Sequence, residues 1–292
     1  MFEEILNIKE QVKPYVDKRI SEFKELGQKG KTTFDFRPFA DYVYEADIFS
    51  ELCFCILTAN SSVLTGIKLQ KAIGIEGFKN MSLEEIEKAI SSIGHRFVRQ
   101  RAERIVKARE NFDKVMELLK NSKDAKEIRE LLSDTCSKYK VEGFGLKEAS
   151  HFLRNIGYEN IAIVDRHVFR YLKEKGLIPD YKTITRKIYL EAEKRLEEMC
   201  EKLGMTQAEL DLYPHRVLLV PLCLISPQTP QTSFIRSLAP FIVFSFTFPI
   251  SLAISSRRSS SPSSTTLMSG ISSMYSFLVV KCLLPAQATA GW

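Results

Sequence analysis

Two residues eighteen positions apart, Lys147 and Asp165, have the types and the settings for covalent chemistry. Lys147 follows a Gly-x-Gly turn, Gly143 and Gly145, at the point where a helical pattern opens at Leu146. In the first turn of a helix the positive end of the dipole, with any burial, disfavours an ammonium group. An amine in that state attacks an electrophilic carbon and forms a Schiff base. Asp165 lies in the run AIVDRHV, after an apolar stretch and just before a helix, where it serves as an N-cap. One helix and a loop bring it back towards the turn, and there its carboxylate stabilises positive charge developing on a sugar as a base departs. It also favours the charged form of the neighbouring amine, so the two influences oppose each other.

The glycines have a reading of their own. They permit backbone angles with φ > 0 and close approach of another molecule, and the amides that open the next helix dock a phosphate without any side chain. The pattern is that of a helix-hairpin-helix, with a first helix opened by a capping box at Asp124 and Glu127 and ending near Tyr139. Such a unit binds DNA through its backbone, independently of sequence. An ordinary αα-corner with capping glycines shares the spacing, and Lys147 weighs against it.

The elements that must hold these residues read as helices throughout. Ile5, Ile8, Val12, Val16, Ile20 and Phe23 recur at helical spacing, with Pro14 dividing that helix in two. Residues 27–31 form a break, and residues 33–44 read as an irregular aromatic segment lying across the domain. Residues 47–59 (DIFSELCFCILTA) form a buried helix capped by Asp47, ending at Asn60-Ser61-Ser62. A helix containing Leu64, Ile67, Leu69 and Ile73 comes next, then one opened by a capping box at Ser82 and Glu85, then a basic turn over 94–101. Beyond Asp165 come a short helix closed near Gly176 and Pro179 and a long charged one over about 183–202, stopped by Gly204. No stretch shows strand alternation, so an all-α fold is expected.

Composition excludes several classes. The chain has 292 residues and a formal charge of +6, yet five of its 42 basic residues and none of its 36 acidic ones lie from Pro214 onward. The first 213 residues are therefore close to neutral, and a nucleic-acid partner rests on local patches and the hairpin. The six cysteines, Cys53, Cys55, Cys136, Cys200, Cys223 and Cys282, contain no CxxC pair. Neither they nor His151 and His167 have metal-ligand spacing, so no metal and no cofactor is expected, and the histidines read as structural or DNA-backbone contacts. The amino-terminal run MFEEILNIKEQ lacks a signal-type apolar core, and a reducing cytoplasm fits.

The run GFGLKEASHFLRNIGYENIAIVDRHV resembles the helix-hairpin-helix DNA glycosylases with a catalytic aspartate. More narrowly, ELCFCILTAN (51–60), GHRFVRQRAE (94–103) and KEASHFLRN (147–155) resemble the archaeal type-2 8-oxoguanine DNA glycosylase/lyases, over about residues 18–213. The resemblance implies two helical subdomains with the active site between them. It also implies an enzyme that flips an oxidised guanine out of double-stranded DNA, cleaves its glycosidic bond and cuts the strand by β-elimination. Lys147 takes the role of Schiff-base nucleophile and Asp165 that of the assisting carboxylate. A monomer in the cytoplasm, associated with the nucleoid and without an obligate protein partner, is expected. The nearest alternative is a glycosylase for another damaged base; a non-catalytic DNA-binding module is the alternative of a different class.

Two further positions are read towards DNA. Asn60 stands where the wider superfamily fills the gap left by a flipped base, and a polar helix end explains it equally well. Phe97, among His95, Arg96, Arg99 and Arg101, is suited to wedge between bases while its neighbours hold phosphates, with core packing as the competing account.

At Tyr213-Pro214 the composition breaks. Residues 1–213 are read as the glycosylase/lyase domain, and residues 214–292 as an atypical serine-rich tail, from a shifted frame, a fusion or a disordered extension. The apolar run 238–254 is interrupted by Pro240 and Pro249, which disfavours a membrane anchor. In the family that the chain resembles, the segment after Leu-Asp-Leu-Tyr continues with a tryptophan and stops within about a dozen residues at a lysine, and that end helps recognise the oxidised base. Here Leu210–Tyr213 is present, but the sequence from Pro214 is unrelated, and Trp292 is the one tryptophan.

Overall fold

The computed structural model describes residues 2–37 and 40–213. The tail from Pro214, with its apolar run, Cys223, Cys282 and Trp292, lies outside the described residues.

Helix α1 (Phe2–Lys29) presents Val12, Val16, Ile20, Phe23 and Leu26 to the core, a stripe at three- and four-residue spacing. It is a single element with Pro14 inside it, not two pieces, and it continues through the expected break at Gly27. The reason is packing: a Cβ on Gly27 would stand 2.0 Å from the carbonyl oxygen of Ile156. The glycine is there for close approach of two helices, and the turn comes at Gly30, whose φ is 77°.

The expected irregular segment contains a β-hairpin. Strands β1 (Lys31–Asp35) and β2 (Val43–Asp47) pair antiparallel with Phe34 opposite Tyr44. Thr32 and Phe34 on β1 and Tyr44 and Ala46 on β2 alternate inward. Phe34 stands edge-on to both Tyr44, at 5.7 Å between ring centres, and Phe23 of α1, at 5.8 Å. Otherwise the described chain is helical.

Helix α2 (Ile48–Thr58) is buried along its whole length, Cys53 and Cys55 included. Its start is set as expected, with Asp47 and Ser50 forming a reciprocal capping box. Helix α3 (Val63–Asn80) kinks at Gly74, α4 (Leu83–Ser92) opens on the box of Ser82 and Glu85, and α5 (Val98–Asn121) comes after the basic turn. Helix α6 (Ala125–Ser133) is capped by Asp124, but no box forms there, because the Glu127 carboxylate accepts from the Ser122 hydroxyl. Helices α7 (Leu146–Asn155), α8 (Arg166–Glu174), α9 (Arg186–Leu203) and α10 (Gln207–Leu212) complete the body.

Two apolar clusters result. The larger gathers α1 to α7 and the hairpin. The smaller joins Ala162 and Val164 to the inner faces of α8 and α9. A buried ion pair ties the two together: Arg129 of α6, 1% exposed, donates to Glu193 of α9 at 2.5 Å. Among the described residues no helix is long and apolar enough to cross a membrane.

Candidate active site

The hairpin is held from inside by apolar pegs. Val141 and Phe144 are buried, Phe144 against Phe152 at 6.1 Å. The backbone closes through Val141 N–H to Leu132 O at 3.1 Å and Phe144 N–H to Val141 O at 3.0 Å, and Lys140 Nζ bridges Ser133 O and Phe144 O. The first helix ends at Ser133, well before the expected Tyr139, and turns span the interval. Gly143 has φ 92° and faces Arg104, whose Cδ would lie 2.8 Å from a Cβ there. Gly145, by contrast, is extended at φ −104°, and its N–H is taken by the carboxylate of Glu148 at 3.3 Å. Of the two hairpin glycines, Gly143 alone uses the left-handed region expected of both.

Lys147 stands in the first turn of α7 with its side chain 18% exposed. Its ammonium makes one long contact, 3.9 Å to Glu148 Oε1. Among the described residues no strong partner ties up the amine. Its field reaches the protein interior, where it adds to burial and Arg154 in holding the His151 imidazole well below its usual range. Asp165 is buried at 7% exposure and caps α8: its Oδ1 accepts from both His167 N–H and Val168 N–H at 2.8 Å. Among the described residues Oδ2 has no hydrogen-bond partner.

The fold brings Lys147 and Asp165 to one cleft of about 910 Å³, which Asn60, Gly145, Arg186 and Tyr189 also line. Its walls come from both apolar clusters. Asn60 is exposed at φ 56°, just past the end of α2.

The basic turn divides into two kinds of residue. His95 and Arg101 are buried at 6% and 2%, and are not phosphate contacts. They fasten the carbonyl end of α2, His95 Nε2 to Leu57 O at 2.7 Å, and Arg101 to Ile56 O at 2.7 Å and to Ala59 O. The Arg101 guanidinium suits the negative end of a helix dipole. Arg96 reaches Asn60 O at 3.1 Å and lies over the Phe97 ring at 5.6 Å. Phe97 is 56% exposed with φ 61°, so it is not a core residue. Arg99 is exposed but engaged, by Glu103 at 2.9 Å and Glu87 at 3.5 Å. Neither Phe97 nor Arg99 lines the cleft.

A second, smaller cavity of about 90 Å³ lies along the inner face of α7. Phe34, Phe36, Tyr44 and Phe54 form its aromatic wall, and buried Glu51, His151, Arg154 and Asn155 its polar one. Burial pushes the Glu51 carboxyl up to about 7, against the Asn155 hydrogen bond and the nearby Arg154 and Arg19. No sequence motif singles out Glu51, Arg154 or Asn155. The available signals were a lone acid inside the apolar run 48–59 and the four-residue spacing of Lys147, His151 and Asn155. Among the described residues no group of His, Cys, Asp and Glu has the arrangement to hold a metal ion.

A helical body with a hairpin before the lysine helix, and a lysine and an aspartate facing one cleft, is the fold of the helix-hairpin-helix DNA glycosylases. The family model described as 8-oxoguanine DNA glycosylase matches residues 16–205, and the chain belongs to that family. Relatives include the 8-oxoguanine DNA glycosylase/AP lyase of Aquifex aeolicus, 56% identical over 211 residues, which span 72% of this chain and 93% of that one. The protein of the same name from Methanocaldococcus jannaschii is 41% identical over 204 residues, 70% of this chain and 88% of that one. Among solved structures, the 8-oxoguanine DNA glycosylase of Thermotoga maritima superposes with a TM-score of 0.61 at 40% identity, covering 73% of this chain and 92% of that one. The M. jannaschii glycosylase/lyase in complex with a 15mer DNA containing 8-oxoguanine gives 0.62 at 39% identity, covering 74% and 95%.

Proposed function

We propose that this chain excises 8-oxoguanine from double-stranded DNA and cuts the strand at the resulting abasic site, with Lys147 as nucleophile and Asp165 as the assisting carboxylate. The observation that carries the reading is that both side chains line the same cleft, while among the described residues the amine is held by a single 3.9 Å contact. As the glycosidic bond breaks, positive charge grows on the sugar, and Oδ2 of Asp165, the oxygen that does not cap α8, stabilises it. The departing base takes a proton as Lys147 Nζ bonds to C1′, and ring opening gives a protonated Schiff base. Loss of a C2′ proton then expels the 3′ phosphate oxygen, which breaks the strand; water hydrolyses the imine and returns the amine.

The rest of the site fits these steps. Gly143 and Gly145 bring the hairpin backbone to a phosphate. Asn60 enters the gap left by the extruded nucleotide, and exposed Phe97, backed by Arg96, wedges beside it. The smaller cavity along α7 offers the extruded base aromatic faces and buried polar groups. Activity on DNA supports a location in the cytoplasm with the nucleoid.

Incision of a duplex carrying one 8-oxoguanine, compared with the same duplex carrying guanine, tests the reading. Lesion-dependent scission that is lost in Lys147→Gln is expected; scission of both duplexes at equal rates, or none of either, refutes it.

A further inference from the structure

The phenol of Tyr189, on α9, lies at a junction that the chemistry described above does not use. Three groups surround its oxygen: Ser150 Oγ at 3.1 Å, Ala162 O at 3.2 Å and Val164 N at 3.3 Å. The phenol hydrogen faces two acceptors, the Ser150 hydroxyl and the Ala162 carbonyl, and the Val164 N–H donates to the phenol oxygen. The three contacts meet at one atom. Burial pushes the phenol well above its usual range, so it keeps its proton at any working pH.

What the junction connects is specific. Ser150 lies three residues after Lys147 on α7, and Val164 immediately precedes Asp165. The segment 161–165 is buried but belongs to no regular element, so no helix ladder fixes its place. Apart from Val164, the Asp165 backbone N–H bonds only locally, to Ile163 O at 3.2 Å. The ring itself is seated by Arg129, whose guanidinium lies 5.7 Å from its centre and is anchored to Glu193.

We propose that Tyr189 is a positioning residue that sets the Asp165 carboxylate relative to the Lys147 amine, by fastening the backbone on either side of residue 163 to α7. The proposal rests on the lyase reading of those two residues. Tyr189 itself is 4% exposed and its phenol is turned to Ser150, Ala162 and Val164, so it acts through those neighbours although its side chain lines the cleft wall.

Tyr189→Phe in the full chain keeps the ring and removes the junction. Single-turnover excision on an 8-oxoguanine duplex, with enzyme in excess, reads the effect. The expected result is a maximal rate lowered roughly tenfold to a hundredfold, since small misplacements of reacting groups cost that much, with the half-saturating enzyme concentration within about twofold of wild type. Tyr189→Phe with Ser150→Ala should be no slower than Tyr189→Phe alone, because Ser150 acts only through the phenol. A wild-type rate in Tyr189→Phe, or a loss confined to affinity, overturns the proposal. Should Tyr189→Phe fail to fold, Ser150→Ala carries the test: a several-fold lower maximal rate supports the junction, and an unchanged rate overturns it. Failure of the underlying reading is distinct, because the wild-type chain would then excise nothing.

Discussion

The side-chain amide of Asn155, on α7, donates to the buried carboxyl of Glu51, on α2, at 2.5 Å. Glu51 is 1% exposed and its carboxyl titrates at about 7, raised chiefly by burial. Between the ordinary carboxyl range and about 7, the folded chain binds a proton that the unfolded chain releases, so this group's contribution to stability is present in acid and is lost as pH rises through that window. The loss is up to roughly 3 kcal/mol. Glu51→Gln keeps an acceptor for Asn155 and cannot ionise. The gain in thermal midpoint of Glu51→Gln over wild type should therefore be larger at pH 8 than at pH 5; a gain that does not grow with pH contradicts the assignment.

Asp165 combines a structural and a chemical duty in separate oxygens. Oδ1 holds the two amides at the start of α8, a bond pattern that an asparagine oxygen can reproduce. Asp165→Asn should unfold within about 1 kcal/mol of wild type, yet excise 8-oxoguanine at least roughly a hundredfold more slowly, because a neutral amide cannot stabilise a cationic sugar. Parallel denaturation and single-turnover measurements separate the two roles, and an active Asp165→Asn would remove the carboxylate from the mechanism.

Phe97 and Arg99 are close in sequence but differently engaged. Phe97 is exposed and supports no core, so Phe97→Ala should leave stability within about 0.5 kcal/mol of wild type. It should also weaken lesion-duplex binding by about 1–3 kcal/mol, the range for one aromatic–base stack. Arg99 is already paired with Glu103 and Glu87, and Arg99→Ala should change affinity by less than about 1 kcal/mol. Titration of a fluorescent duplex checks both, and equal losses would show that Phe97 makes no special contact.

The Arg129–Glu193 pair crosses between the two apolar clusters with both side chains almost fully buried. Arg129→Met leaves a buried carboxylate alone and should cost about 3–5 kcal/mol in urea denaturation. Arg129→Met combined with Glu193→Leu should recover most of that, because the desolvation of both charges is then relieved. A double variant as unstable as the single one would point to packing rather than charge.

Much of the fold is legible in sequence because the signals are local. Asp47, Ser82 and Asp165 cap helices where cap chemistry places them, and the apolar spacing of α2 and α9 is plain. The misses are non-local. Gly27 reads as a break because its real constraint, the carbonyl of Ile156, is far along the chain. The β-hairpin escapes notice because its strands are five residues long and its inward Phe34 and Tyr44 find partners only once α1 is beneath them. His95 and Arg101 read as phosphate contacts because nothing local reveals that the end of α2 buries them. The Glu51–Asn155 bond and the Tyr189 junction likewise join residues that no motif links.

The proposed mechanism turns on a covalent bond between Lys147 Nζ and the sugar of the damaged nucleotide. Borohydride reduction during reaction with an 8-oxoguanine duplex measures it directly. The wild-type chain should give a stable protein–DNA adduct that is absent in Lys147→Gln, whereas an adduct of unchanged yield in Lys147→Gln would contradict the assignment.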